Sequence, residues 1–165
     1  MQSPDDSADR QLARLLLLAP PIFVLHFVEE APRFVEWFNA HVRRGITTEL
    51  FWSVNLSGLM ITVIVAGAAW LMPAALSQVA AAAWLGFLMF ANGIFHLIAT
   101  LVDGAYAPGA VTAALLYLPY FFWVMAAIQR RRRVRSEVLF AAVILGAVPM
   151  LIHGYRIVFL GDRLF

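Results

Sequence analysis

The sequence predicts an all-α fold, a polytopic membrane bundle of about five transmembrane helices with an interfacial segment after the first. Three observations carry this. Of the 165 residues, 62% are hydrophobic and 13% charged, and the mean hydropathy is +0.81, a balance foreign to soluble domains. The apolar residues come in repeated runs. Because a helix needs about 20 residues to cross roughly 30 Å of hydrocarbon, the chain has room for about five crossings and none for a second, soluble domain. The stretches between the runs are short, which favours antiparallel neighbours.

Residues 1–11 are polar and acidic and are expected to form a frayed tail, with a single transmembrane domain over 12–165. No cleavable signal is expected, because the n-region carries Asp5, Asp6 and Asp9 and the apolar run continues into Glu29 and Glu30. The first helix is expected over about 12–31, bent near Pro20 and Pro21 and ended by Pro32. After it, a stretch mixing aromatic residues with Arg33, Glu36, His41, Arg43 and Arg44 reads as an interfacial amphipathic segment and loop. Further helices are expected over about 48–71, 79–102, 110–129 and 138–160. Ala80 to Ala83, with Gly86 and Gly93, mark close helix packing.

Charge sets the orientation. There is no lysine, and the densest positive run is Arg130, Arg131, Arg132, Arg133 and Arg135. Arginine-rich short loops stay cytoplasmic, so this loop and the N-terminus are assigned to the cytoplasmic side, in a multi-pass topology. Arg33, Arg43, Arg44 and Arg163 then lie outside. Such a distribution is topogenic and speaks against nucleic acid as a partner. Absent cysteine excludes disulfides, thiolate metal sites and cysteine nucleophiles.

The polar residues inside the apolar runs are the lead to function, since charges in a membrane helix normally pair, bind something or line a cavity. This topology assigns each a depth. At 1.5 Å per residue, His26 lies roughly 9 Å below the outer end of its helix, Asn55 about 10 Å, His96 about 9 Å and His153 about 10 Å. Glu29, Glu30 and Asn92 lie near the same level. Residues three or four apart share a helix face, which pairs His26 with Glu29 and Glu30, Asn92 with His96, and His153 with Arg156. Tyr117 and Tyr120 are weaker candidates to close the ring, and Pro149 is expected to loosen the last helix near it.

Imidazoles and carboxylates at one level form a plausible ligand set for a divalent metal such as zinc, iron or manganese. The expected ligands are His26, Glu29, His96 and His153, with Glu30, Glu29 and His26 as the catalytic set and Asn92, Asn55 and Arg156 in support. A metal-free version would use a buried carboxylate and a histidine as general acid and base. The leading reading is a membrane-embedded, metal-dependent enzyme acting on a lipid-like or apolar small molecule. A proton-coupled transporter or relay uses the same residue types, but polar groups are sparse in the inner half and no inverted repeat is visible; a homo-oligomer would supply a path that one subunit lacks. A third reading is a structural or assembly protein, with Glu29 or Glu30 paired to Arg156 and the cluster only packing helices.

His26-Phe27-Val28-Glu29-Glu30 on the first span, Asn92-Gly93-Ile94-Phe95-His96 on the third, Tyr106-Ala107-Pro108-Gly109 in the next loop and His153 on the last together resemble the HXXEE family of small bacterial membrane proteins. The resemblance spans essentially the whole chain. It implies a multi-helix protein of the bacterial inner membrane and supports His26, Glu29, Glu30, Asn92, His96 and His153 as the site, but supplies no reaction.

Overall fold

The computed structural model describes the backbone of residues 4–165, with side chains from Arg10 onward. Among the described residues all regular structure is helical, in six helices: α1 (Arg10–Glu30), α2 (Phe34–His41), α3 (Thr48–Leu71), α4 (Ala75–Asp103), α5 (Ala110–Arg130) and α6 (Ser136–Leu160). All but α2 are long and apolar enough to cross a membrane, which puts the chain in a lipid bilayer. The polar tail expected over 1–11 lies partly outside the described residues; from Pro4 the backbone is already helical.

Local chemistry explains the ends and breaks. α1 is interrupted at Leu17 and Leu18, and Pro20 and Pro21 then fall in the first turn of its second half, where their missing N–H groups leave nothing unpaired. The Thr47 hydroxyl caps α3 by accepting from the Leu50 N–H at 3.2 Å. α4 begins at Ala75, earlier than the expected 79, because Ser77 organises the turn before it: its hydroxyl accepts from the Ala74 N–H at 3.2 Å and reaches the Met72 carbonyl at 2.8 Å.

The helices do not share the core equally. Half of the apolar window of α4 is buried, against 17% of that of α3, so α4 is the central post and α3 the most lipid-exposed member. α6 packs on α4 backbone to backbone: a Cβ at Gly146 would sit 1.9 Å from the Ala83 carbonyl oxygen, and one at Gly86 would sit 2.8 Å from that of Val143. Ala81 and Ala82 are fully buried in the same region. This is the close packing expected of small residues in a bilayer.

Three π-helical turns interrupt the spans, at Gly86–Ala91 in α4, Ala113–Tyr117 in α5 and Arg156–Leu160 in α6. Each adjoins a polar residue: Asn92 follows the first directly, Tyr117 belongs to the second and Arg156 opens the third. Such turns widen a helix locally and often sit beside functional groups. The irregularity expected from Pro149 is supplied here instead, since α6 runs as unbroken α-helix from Ser136 to Tyr155.

Candidate metal centre

Near the end of the bundle where α1 and α4 finish and α5 starts, three side chains converge. His26 and Glu30 come from α1, four residues apart on one face, and His96 comes from α4. Both histidines are wholly buried and Glu30 is 5% exposed. Glu30 Oε1 lies 3.1 Å from His96 Nε2 and 3.6 Å from His26 Nε2. One ligand atom from each of the three residues falls within 4.8 Å of the other two.

The surroundings orient His26. The Thr112 hydroxyl lies 3.3 Å from the Gly109 carbonyl, to which it donates, so its oxygen accepts from His26 Nδ1 at 2.7 Å. With the proton assigned to Nδ1 on this network, the lone pair of Nε2 faces the Asn92 amide at 3.3 Å and Glu30. Tyr117 stacks on the imidazole from the other side, with ring centroids 4.0 Å apart. The loop before α5 closes the site. Gly109 adopts φ +95°, and a Cβ there would lie 2.8 Å from His96 Cε1 and 2.9 Å from His26 Cε1, so this position requires glycine on both counts.

His96 is differently placed. Neither of its ring nitrogens makes a hydrogen bond, although both are buried, and the Tyr117 hydroxyl is likewise buried without a partner. Its close approach to Glu30 lacks hydrogen-bond alignment. Buried polar atoms normally find partners, and leaving one bare costs about 1–3 kcal/mol. Two ligands each ~2.1 Å from a tetrahedral ion stand ~3.4 Å apart, which the spacings around Glu30 bracket. The donor set of two imidazoles and a carboxylate thus fits a divalent metal in type, spacing and unmet valence.

The other expected site residues are placed elsewhere. Glu29 is turned away: adjacent helical residues point about 100° apart, so two consecutive glutamates cannot both face His26. Its carboxylate accepts from the Thr112 N–H at 2.7 Å, the Val111 N–H at 3.0 Å and the Tyr106 hydroxyl at 2.5 Å. It therefore caps α5, where the N-terminal end of the helix dipole favours a negative charge. Tyr106, in the loop outside the spans, is pushed up to about 12 by partial burial and by its bond to Glu29.

His153 does not join the trio. Its Nδ1 accepts from the Leu164 N–H at 3.2 Å, and its ring stacks on Phe165. Arg156 pairs with Asp162, six residues on, rather than with either glutamate. The Asn55 amide donates to the Phe51 carbonyl of its own helix at 3.0 Å. Tyr120 reaches across to the Leu15 carbonyl. Thr112 carried no signal in the sequence, and Tyr106 and Gly109 entered only through the Tyr106-Ala107-Pro108-Gly109 stretch of the family resemblance.

Asn55 and His153 do meet Glu30 in one place. A cavity of about 500 Å³ is lined by Glu30, Asn92, Asn55, His153 and Arg163 together with aromatic and aliphatic side chains from α1, α2, α3, α4 and α6.

The family model described as a protein of unknown function with HXXEE motif matches residues 17–124, which include His26, Glu29, Glu30, His96 and Thr112. The uncharacterised protein YrkK of Bacillus subtilis (strain 168) is 30% identical over 138 residues, covering 77% of this chain and 86% of its own length. No solved structure matches the chain.

Proposed function

We propose a function from one premise: the chain belongs to the HXXEE family. In this reading it is a membrane-embedded, metal-dependent enzyme that acts on a lipid-like or apolar small molecule. One observation carries it. Glu30 belongs both to the His26–Glu30–His96 cluster and to the wall of the cavity, so a group that fits a metal also faces space for a substrate.

His26 Nε2, His96 and the Glu30 carboxylate would hold zinc, iron or manganese, the ions suited to imidazole and carboxylate. A metal held there supplies Lewis acidity toward a substrate oxygen or a water. The chain's own residues do the rest. Thr112 fixes the tautomer of His26, much as outer partners do around many metal-bound histidines. Glu30 can hold or pass a proton at the cavity wall, Asn92 can orient a polar group beside it, and Phe34 and Phe51 on the same wall exclude water. The proposed orientation places the N-terminus and the Arg130 to Arg135 loop on the cytoplasmic side of the bacterial inner membrane, so the cluster opens toward the outer half. Single introduced cysteines would map this without interference, since the chain has none of its own.

Elemental analysis of gently purified protein tests the metal. About one equivalent is expected in the native chain and none in a His26→Ala, Glu30→Gln double variant. A metal-free native protein overturns the metal assignment. Proton flux in reconstituted vesicles that Glu30→Gln abolishes would favour a relay instead.

A further inference from the structure

The cavity has a polar end and an apolar end, and they are well separated. Glu30, Asn92, Asn55, His153 and Arg163 line the cavity on the side of the His26–Glu30–His96 cluster. Trp84 and Ile61 lie at the other, roughly 12 Å along α4 from Asn92 and about 9 Å along α3 from Asn55 at the helical rise. The polar atoms at that far end are spoken for. Trp84 Nε1 donates to the Thr62 hydroxyl at 2.9 Å, which donates to the Gly58 carbonyl at 2.7 Å. A molecule reaching this floor meets hydrocarbon and an indole face, with the Ser57 hydroxyl one turn of α3 nearer the polar end.

Charge distinguishes the polar end further. Asp162 is engaged by Arg156, and Glu30 lies within 3.6 Å of the two histidine rings without an aligned hydrogen bond to His96, whereas Arg163 has no ion-pair partner among the described residues. His153 stands beside it with Nδ1 already bonded to Leu164. Size is sufficient. At roughly 30 Å³ for a water-sized group, the cavity of about 500 Å³ has room for a long chain.

We propose that this cavity binds a single-tailed anionic amphiphile, with its tail toward Trp84 and its anionic head at Arg163. The proposal rests on the reading of the cavity as the substrate site and names the class of substrate. The head-proximal carbons then lie alongside Glu30 and Asn92, which is where the cluster would act. An unpaired cation at the mouth selects for a negative head, and the dry floor selects for an unbranched apolar tail.

Competition against a chain-labelled fluorescent fatty acid, on full-length protein in nanodiscs of neutral lipid, tests this. The probes are a long-chain fatty acid and the fatty alcohol of equal length. The acid is expected to bind about tenfold more tightly, the scale of one partly buried charge contact. Arg163→Ala should erase that preference while leaving the alcohol unchanged, and Arg163→Lys should restore most of it. Ile61→Trp, at a position 38% exposed and so tolerant of bulk, should weaken both. Equal binding of acid and alcohol, or a preference that survives Arg163→Ala, overturns the proposal. So does displacement of the probe on moving to nanodiscs of a two-chained anionic phospholipid. Elemental analysis of the same samples separates the two readings: native protein that prefers the acid but carries no metal overturns the metal assignment alone, whereas native protein that carries metal but shows no acid preference overturns the amphiphile alone.

Discussion

The seam between α1 and α5 and the seam between α1 and α4 each receive one glutamate from the same turn, yet the two are used in opposite ways. At the first, Glu29 accepts three hydrogen bonds from α5 and the loop before it, and the donors facing it are satisfied. At the second, Glu30 lies among imidazole nitrogens that it does not properly bond, and both nitrogens of His96 stay bare in a buried site. A satisfied buried network stabilises a fold; an unsatisfied one is a cost that a ligand can relieve. The HXXEE motif thus combines a clamp with two residues of the candidate metal cluster.

The comparison breaks most sharply on metal content. His96→Ala or Glu30→Gln should reduce bound metal from about one equivalent to none by elemental analysis, with melting temperature unchanged or raised, since function commonly costs stability. Should either variant unfold instead, the second seam is structural like the first. Next in size is Gly109→Ala, which combines a positive φ with contacts on both histidine rings and should cost about 3 kcal/mol in denaturant unfolding in mild detergent. Glu29→Ala removes a charged helix cap and should destabilise by about 2 kcal/mol while the folded fraction keeps its metal. That result would sharpen the division between the two glutamates.

Smaller effects probe the link between the seams. Thr112 donates its N–H to Glu29 and accepts from His26 through its hydroxyl. Thr112→Val should lower metal affinity about tenfold in a chelator titration, with little loss of stability. The smallest effect is at Tyr106. Its pKa in the folded protein is raised from 10.0 to about 12, so its contribution is complete below pH 10 and disappears as pH rises toward 12. Ultraviolet titration should show a tyrosine step near pH 12 that Tyr106→Phe removes.

Much of this was readable from hydropathy and helical period. The five spans follow from runs of apolar residues, and matched depth brings His26 and His96 to one level with the two glutamates, although the sequence pointed to Glu29 rather than Glu30 as the ligand. Depth, however, is one coordinate of two. The rotation of α1 about its axis decides which glutamate faces α4, and that rotation is set by packing of Phe23 and Phe27 in the core, which no local pattern reveals. For the same reason His153 shares the level of the cluster but belongs to the cavity wall. Thr112 and Gly109 were illegible because a hydroxyl and a missing Cβ acquire meaning only when a loop brings them against a ring.

The backbone contact between α4 and α6 has a mechanical consequence. With Gly146 against Ala83 and Gly86 against Val143, these two helices form a stiff plate, because no side chains intervene to yield. α3, on the other flank of the cavity, is held by far less buried surface. The chamber therefore has one stiff wall, α4 with α6, and one weakly held wall, α3. Amide hydrogens should exchange faster along α3 than along α4, and bilayer tension that pulls on α3 should change occupancy of the chamber before it disturbs the cluster.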